Sequence, residues 1–233
     1  MGKNGSRSRI SVAANVSDPR PSRASVGRLS LYLRHLEGLL REGTATVSSS
    51  QLGAPLGVTD AQVRKDLAYL GNLGQPGIGY PTQDLIAALR RALGIDRTWT
   101  VALVGVGNLA RALLRYRGFQ QRGFRIVALF DADPGKVGQQ VDGLTIHAMD
   151  DIPAVLTATG AELGVLTVPS ESAQPVADAL AAAGIKGILN FAPVILRLPS
   201  RVSLVSVDLT VQLEQLAFLV QWGGGEPPPR TTR

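Results

Sequence analysis

The residues best suited to chemistry are glycines and one carboxylate, and that chemistry is the holding of a phosphorylated ligand. Gly105-Val106-Gly107-Asn108-Leu109-Ala110 follows the apolar run Val101–Val104 and leads into Ala110–Leu114, all good helix formers. In this strand–turn–helix order, Gly105 permits the tight turn and Gly107 lets backbone N–H groups approach a pyrophosphate at the helix N-terminus. Ala110 at the third position is still small enough for close helix–strand packing. A second apolar run, Ile126–Phe130, ends in Asp131 at the distance such a fingerprint requires. A carboxylate there accepts hydrogen bonds from both ribose hydroxyls and repels a 2′-phosphate, which favours NAD(H) over NADP(H). Two other readings stay open at this point: a fold of this kind that takes another nucleotide such as coenzyme A, or one that takes none.

Groups for covalent or metal chemistry are scarce. The chain has no cysteine and only two histidines, His35 and His147, far apart in sequence, so no metal site is expected. Its 233 residues leave room for one large or two modest domains, with 45% hydrophobic and 18% charged residues, ordinary values for a globular protein. Apolar runs are too short to span a membrane, and the basic N-terminus lacks the apolar segment of a secretory signal. A cytoplasmic location is expected.

Charge is distributed unevenly. Residues 1–97 carry 13 Lys/Arg against 7 Asp/Glu, net +6, whereas residues 98–222 carry 9 against 10. A basic N-terminal part separate from the nucleotide fold suggests an anionic polymer as partner.

Residues 1–25 read as a disordered basic tail that either keeps the protein soluble or adds non-specific attraction to phosphates. Leu29, Leu33, Leu36 and Leu40 then fall at helical spacing, giving a helix that stops at Gly43. Ser48–Ser50 can cap a short second helix, and Thr59-Asp60-Ala61-Gln62 forms a capping box for a third, whose inward stripe is Val63, Leu67 and Leu70. The segment Gly71–Tyr80 holds four glycines and a proline, a tight hairpin placed where a winged helix carries its wing. The pattern matches a helix-turn-helix with a wing. Ser50, Thr59, Gln62, Arg64, Lys65, Tyr69, Gly77 and Tyr80 are its candidate DNA-contacting residues. A linking helix over 84–94 leads to a domain boundary near Asp96.

Beyond Asp131 the pattern stays α/β. Asp133–Lys136 is a turn whose lysine can reach a phosphate or the adenine end, or can simply be a surface group. Val165–Val168 and Ile188–Leu189 read as buried strands, with an Ala-rich helix over 173–183 between them. Ligands of open parallel sheets lie beyond the strands' carboxyl ends. Thr167, Val168 and Pro169, with Asn190 and Phe191, are therefore candidate lining for the nicotinamide half. The last helix, 208–222, is apolar on more than one face and asks for cover from a second subunit, or from its own domain. Residues 223–233 read as a disordered tail.

With both halves in view, the sequence closely resembles the Rex family of bacterial redox-sensing transcriptional repressors. The resemblance runs from Leu29 to Val220 and is carried by Gln62–Tyr69, Gly77–Tyr80, Val104–Ala110, Phe130–Pro134, Leu166–Pro169 and Gly184–Pro193. It implies a homodimer with an N-terminal winged-helix domain (26–96) and a C-terminal parallel, doubly wound Rossmann domain (97–207), the C-terminal helix (208–222) being domain-swapped. It also implies that the apo or NAD⁺ form binds a palindromic operator of respiratory and fermentative genes, and that NADH releases it. By the same resemblance Arg64 and Lys65 contact DNA, Gly105 to Ala110 cradle the pyrophosphate, and Asp131 holds the adenosine ribose. Asp208 would pair with Arg34 in one state and Tyr116 in the other, beside the nicotinamide. Three positions depart from the family: Ala110 replaces a glycine, Pro76 stands for the wing's arginine, and Leu209 stands where an aromatic ring can lie beside the nicotinamide. No catalytic turnover is expected. The competing reading is an NAD-dependent oxidoreductase with a helical oligomerisation arm, which lacks a convincing acid or base.

Overall fold

The computed structural model describes residues 21–71, 73–75 and 77–222, so the expectations for residues 1–20, Pro76 and 223–233 fall outside the described residues. The chain divides into two compact units between Gly94 and Ile95, two residues before the boundary read from the sequence.

The first unit is built on α1 (Arg23–Arg41), whose Leu29, Tyr32, Leu33 and Leu36 recur at helical spacing and are buried. Ser22 caps it by accepting from the Ser25 N–H. The helix therefore begins before residue 26, correcting the tail assigned to residues 1–25: Ser25 lies inside α1 and is buried. α2 (Ser49–Gly53) is held by a complete capping box between Ser48 and Gln51. α3 (Asp60–Leu67) is capped by Thr59, whose hydroxyl accepts from the Gln62 N–H at 3.3 Å. This box is only half made, because the Gln62 amide turns to Asp66 (2.9 Å) and not back to Thr59. β1 (Thr46–Val47) pairs antiparallel with β2 (Tyr80–Pro81), and the Gln75–Gly79 bridge closes the expected hairpin just before β2. Gly79, at φ +99°, fits only as glycine, since a Cβ would meet the Val47 carbonyl oxygen. α4 (Thr82–Ala92) starts two residues earlier than read and is tied to α1 by the Arg90–Glu37 ion pair at 2.9 Å.

The second unit is a seven-stranded sheet comprising β3 (Trp99–Val104), β4 (Phe124–Phe130), β5 (Gln140–Val141), β6 (Leu144–His147), β7 (Leu163–Leu166), β8 (Gly187–Asn190) and β9 (Ser203–Ser206). Only β5 is antiparallel to its neighbour, and the order is β5-β6-β4-β3-β7-β8-β9. The six parallel strands, renumbered along the chain, run 3-2-1-4-5-6, the order of a dinucleotide-binding doubly wound fold. The order reverses between β3 and β7, which places the ligand crevice at their carboxyl ends.

Side chains alternate across the sheet. Ala102 and Val104 face one core with α7 (Ile152–Thr159) and α8 (Ser170–Ala182), while Val101 and Leu103 face the other with α5 (Asn108–Arg115). A four-residue helix, α6 (Gly118–Gln121), precedes β4. On the α5 side, an apolar groove of about 440 Å³ runs over Leu103, Leu163, Val165, Leu189 and Val205. α9 (Leu209–Trp222) has no buried residue, and its Leu213, Leu219 and Val220 are 61–76% exposed. Among the described residues no helix is long and apolar enough to cross a membrane.

Candidate nucleotide and nucleic-acid sites

In the first unit, α3 is set by a buried carboxylate that the sequence reading missed. Asp66 accepts from Arg28 Nε (2.6 Å), Arg28 Nη2 (2.8 Å), Tyr32 Oη (3.0 Å) and Gln62 Nε2 (2.9 Å). Burial pushes its pKa up, but the donors, Arg28 first, outweigh that and hold it below the usual aspartate range. Burial and the neighbouring Asp66 push the Tyr32 phenol up to about 12. A signal was present: Asp66 falls between Val63 and Leu67 on the inward stripe of α3, where a carboxylate needs partners.

This clamp turns the opposite face of α3 outward. Arg64 and Lys65 are exposed, as are Tyr69 and Ser50. Arg64 Nη1 lies 2.7 Å from Asp60 Oδ2 in a surface pair, and the arginine lowers the Asp60 pKa. Arg64, Ser50, Gly77 and Tyr80 line one cleft of about 610 Å³ between α2, α3 and the hairpin. Lys65, Thr59, Gln62 and Tyr69 are not in that lining. The Gln62 amide, half-buried, is turned to Asp66, donating from Nε2 to Oδ1 at 2.9 Å. Thr59 acts as a helix cap. Arg34 is exposed and makes no ion pair with any described residue.

In the second unit the glycine turn lies at the switch point. Gly105 has φ +89°, and a Cβ there would stand 2.8 Å from the Thr167 carbonyl oxygen, so glycine is required on two grounds. Thr167 Oγ1 donates to the carbonyls of Gly105 (2.8 Å) and Val104 (3.0 Å), locking the turn to the end of β7. A Cβ on Gly107 would meet nothing within 4 Å, which leaves room for a ligand. The first α5 N–H to bond back is that of Arg111, to Gly107 O at 3.1 Å. Those of Asn108, Leu109 and Ala110 therefore lack an intrahelical acceptor and fit an anion. Ala110 is buried against the sheet, the packing expected of the third fingerprint position.

Asp131 lies at the end of β4, 7% exposed. It accepts from the Val106 N–H (2.8 Å), the Asp133 N–H (2.9 Å) and Lys136 Nζ (3.0 Å). The Val106 N–H is thus directed to Asp131 and not to a pyrophosphate. Burial raises the Asp131 pKa, but these donors outweigh it and leave it lowered.

Three other candidates behave differently from the reading. Asn190 is fully buried: its amide donates to Ala192 O (3.0 Å) and Val194 O (3.2 Å) and accepts from the Ala192 N–H (2.9 Å), so it staples its own loop and its side chain lines no crevice. Phe191 packs half-buried against the core. Asp208 Oδ1 accepts from the N–H groups of Thr210 (2.9 Å) and Val211 (3.3 Å), so it caps α9 and lies just outside it. Tyr116 is 59% exposed and stacks edge-on against Phe119. Val168 is half-buried and Pro169 immediately precedes α8. His147 ends β6, where its carbonyl accepts from the Asp131 N–H. The described residues hold no group of three or more metal-ligating side chains.

Residues 22–68 match the family described as "Putative DNA-binding protein N-terminus" and residues 96–194 the family described as "CoA binding domain". The redox-sensing transcriptional repressor Rex of Carboxydothermus hydrogenoformans is 46% identical over 198 residues, 85% of this chain and 95% of that protein. The Rex repressor of Desulfitobacterium hafniense is 47% identical over 197 residues, 84% and 94%. Among solved structures, the repressor RSP in complex with β-NAD⁺ and operator DNA superposes with a TM-score of 0.82 at 34% identity, covering 86% of this chain and 93% of that one. RSP in complex with β-NADH gives 0.79 at 32% identity, covering 86% and 94%. Two units of the expected kinds, and this identity across nearly the full length of the relatives, place the chain in the Rex family of redox-sensing transcriptional repressors.

Proposed function

We propose that the chain binds operator DNA as a homodimer and releases it when NADH enters the crevice between β3 and β7. The observation that carries this is the presence, in one polypeptide, of an outward-facing Arg64–Lys65 helix surface and a glycine turn followed by Asp131. The solved complexes of the relative RSP with operator DNA and β-NAD⁺, and with β-NADH, support both halves. The residues fit a dinucleotide. Space above Gly107 and the open N–H groups of α5 suit the pyrophosphate, and Asp131 suits the ribose.

The nicotinamide contributes a positive charge when oxidised and none when reduced. Only a difference in affinity between the two forms can move the DNA-binding equilibrium. A hundredfold preference corresponds to about 2.7 kcal/mol per site. Arg64 and Lys65 supply phosphate and groove contacts. α9 joins the subunits by exchange, covering its leucines in a second copy. Asp208, whose Oδ1 caps α9, offers its other carboxylate oxygen to Arg34 in one state and to Tyr116 in the other as the switch, with Thr167–Pro169 along the crevice wall. The protein acts in the cytoplasm, without catalysis: His147 sits at the Asp131 end of the sheet, away from the β3–β7 switch point, and so is poorly placed as a hydride-transfer acid or base.

The "CoA binding domain" match favours a second reading, a coenzyme A regulator. A carboxylate at the ribose opposes it, since coenzyme A carries a ribose phosphate. Fluorescence titration with NADH, followed by competition, separates the two. Displacement by NAD⁺ and indifference to coenzyme A is expected; the reverse order overturns the proposal.

A further inference from the structure

Asp60 opens α3 and is held at both carboxylate oxygens. Oδ1 accepts from the Ala61 N–H at 2.9 Å, and Oδ2 accepts from Arg64 Nη1 at 2.7 Å, one helical turn on. The pair draws the Arg64 guanidinium back toward the N-terminal end of α3, the end of a recognition helix that meets base edges. Both residues line the cleft between α2, α3 and the hairpin, beside Ser50 and Tyr80. A guanidinium carries five N–H donors, and among the described residues Arg64 uses one, on Asp60. Its Nε and Nη2 remain as an unused fork, which matches the O6 and N7 acceptors of guanine in a major groove. Lys65, the neighbouring cation, differs on both counts: it is absent from the cleft lining and forms no ion pair with any described residue.

Charge decides what Arg64 can take. The Asp60 carboxylate already supplies its counter-charge, so a phosphate brought to the same cation meets a second anion in the cleft. A guanine edge is neutral and meets no such repulsion. In water the pair is weak, since 56% of the Arg64 side chain and 52% of that of Asp60 are exposed. Duplex DNA laid over the cleft removes that water and strengthens the pair. We propose that Asp60 is a positioning residue that assigns Arg64 to a guanine edge and withholds it from phosphates, so that Asp60 sets sequence specificity without itself touching a base. Lys65 is left to the phosphates. The inference rests on the DNA-binding reading of α3.

The test uses the full chain in mobility shifts on the inverted repeat it selects from random duplex DNA, on that repeat with each G·C pair changed in turn to A·T, and on a scrambled duplex. Wild type, Asp60→Asn, Asp60→Glu, Arg64→Ala and the Asp60→Asn/Arg64→Ala double variant are compared. In wild type, changing one particular G·C pair in each half-site should weaken binding by at least about tenfold, the scale of one bidentate contact, and Arg64→Ala should remove that dependence. Asp60→Asn should cut the same effect to below about threefold, tighten binding to the scrambled duplex, and steepen its slope of log affinity against log salt by about 1 as Arg64 takes a phosphate. Asp60→Glu, which keeps a charge four residues before Arg64, should retain the wild-type discrimination. Unchanged NADH binding checks that Asp60→Asn is folded, and Asp60→Ser takes its place if that binding is lost. A folded Asp60→Asn that discriminates as wild type does overturns the inference. So does a steepened slope that persists in the double variant, because Asp60 then acts by general repulsion and not through Arg64. An Arg64→Ala protein that keeps every G·C preference overturns it as well, with DNA binding by wild type leaving the function reading intact. Wild type that selects no duplex overturns both.

Discussion

Arg28 of α1 grips Asp66 of α3 with two nitrogens, Nε at 2.6 Å and Nη2 at 2.8 Å, across 38 residues of sequence. Asp66 is almost fully buried whereas Arg28 keeps 26% of its side chain in solvent. Replacing Asp66 by Ala strands the Tyr32 hydroxyl and the arginine head together. Loss of stability near 3 kcal/mol is expected, at the low end for broken buried pairs because Arg28 can reach water. Denaturant unfolding of the wild type and the variant measures it.

The same pair sets an acid limit. The folded pKa of Asp66 is depressed, so its contribution is fully present above the unfolded value of about 3.9 and fades as pH falls through the lower folded one. Melting temperatures of wild type and Asp66→Asn should therefore differ most above pH 4 and converge below it. A gap that stays constant with pH would assign the effect to packing alone.

Much of this was legible in the sequence because the signals are local. The leucine period of α1, the Ser48 cap, the glycine turn and Asp131 each depend on neighbours within a few residues. The Asp66 clamp was not, because its partners come from another helix and only the fold brings them together. The fate of Gln62 followed from that omission, as did the unfinished capping box. The β5–β6 hairpin was passed over although Asp142-Gly143 is a hairpin dipeptide. Both residues take positive φ, 50° and 80°, but the two-residue β5 is too short to show alternation. Asn190 was assigned to the crevice by its place at a strand end, and a buried amide's need for partners turned it into the loop.

Gly105 and Gly107 should separate under mutation. Gly105→Ala meets both the left-handed backbone and the Thr167 carbonyl, a cost of about 1–3 kcal/mol from the backbone alone. Gly107→Ala, with open space around its Cβ, should melt like wild type yet lose NADH affinity by at least about tenfold, since the methyl occupies ligand space. Calorimetry for stability and fluorescence for binding report the two effects independently.

Leu213 and Leu219, both more than 60% exposed on α9, are expected to be covered by a second copy, each contributing about 1.5–3 kcal/mol when buried. Leu213→Glu with Leu219→Glu should shift the protein to monomer in sedimentation velocity and abolish binding to a two-half DNA site. A dimer that persists places the interface elsewhere.

Lys65→Ala and Arg64→Ala should each weaken DNA binding and reduce the slope of log affinity against log salt by about 1 if the residue neutralises one phosphate. An unchanged slope with altered sequence preference would instead assign the residue to base edges.

The central claim is that the reduction state of a bound dinucleotide controls the grip on DNA. Its most direct test is a mobility shift on an inverted repeat selected from random duplex DNA by this protein, titrated in parallel with NADH and NAD⁺. NADH should release the DNA at concentrations where NAD⁺ leaves the complex intact. Equal release by both forms, or by neither, would contradict it.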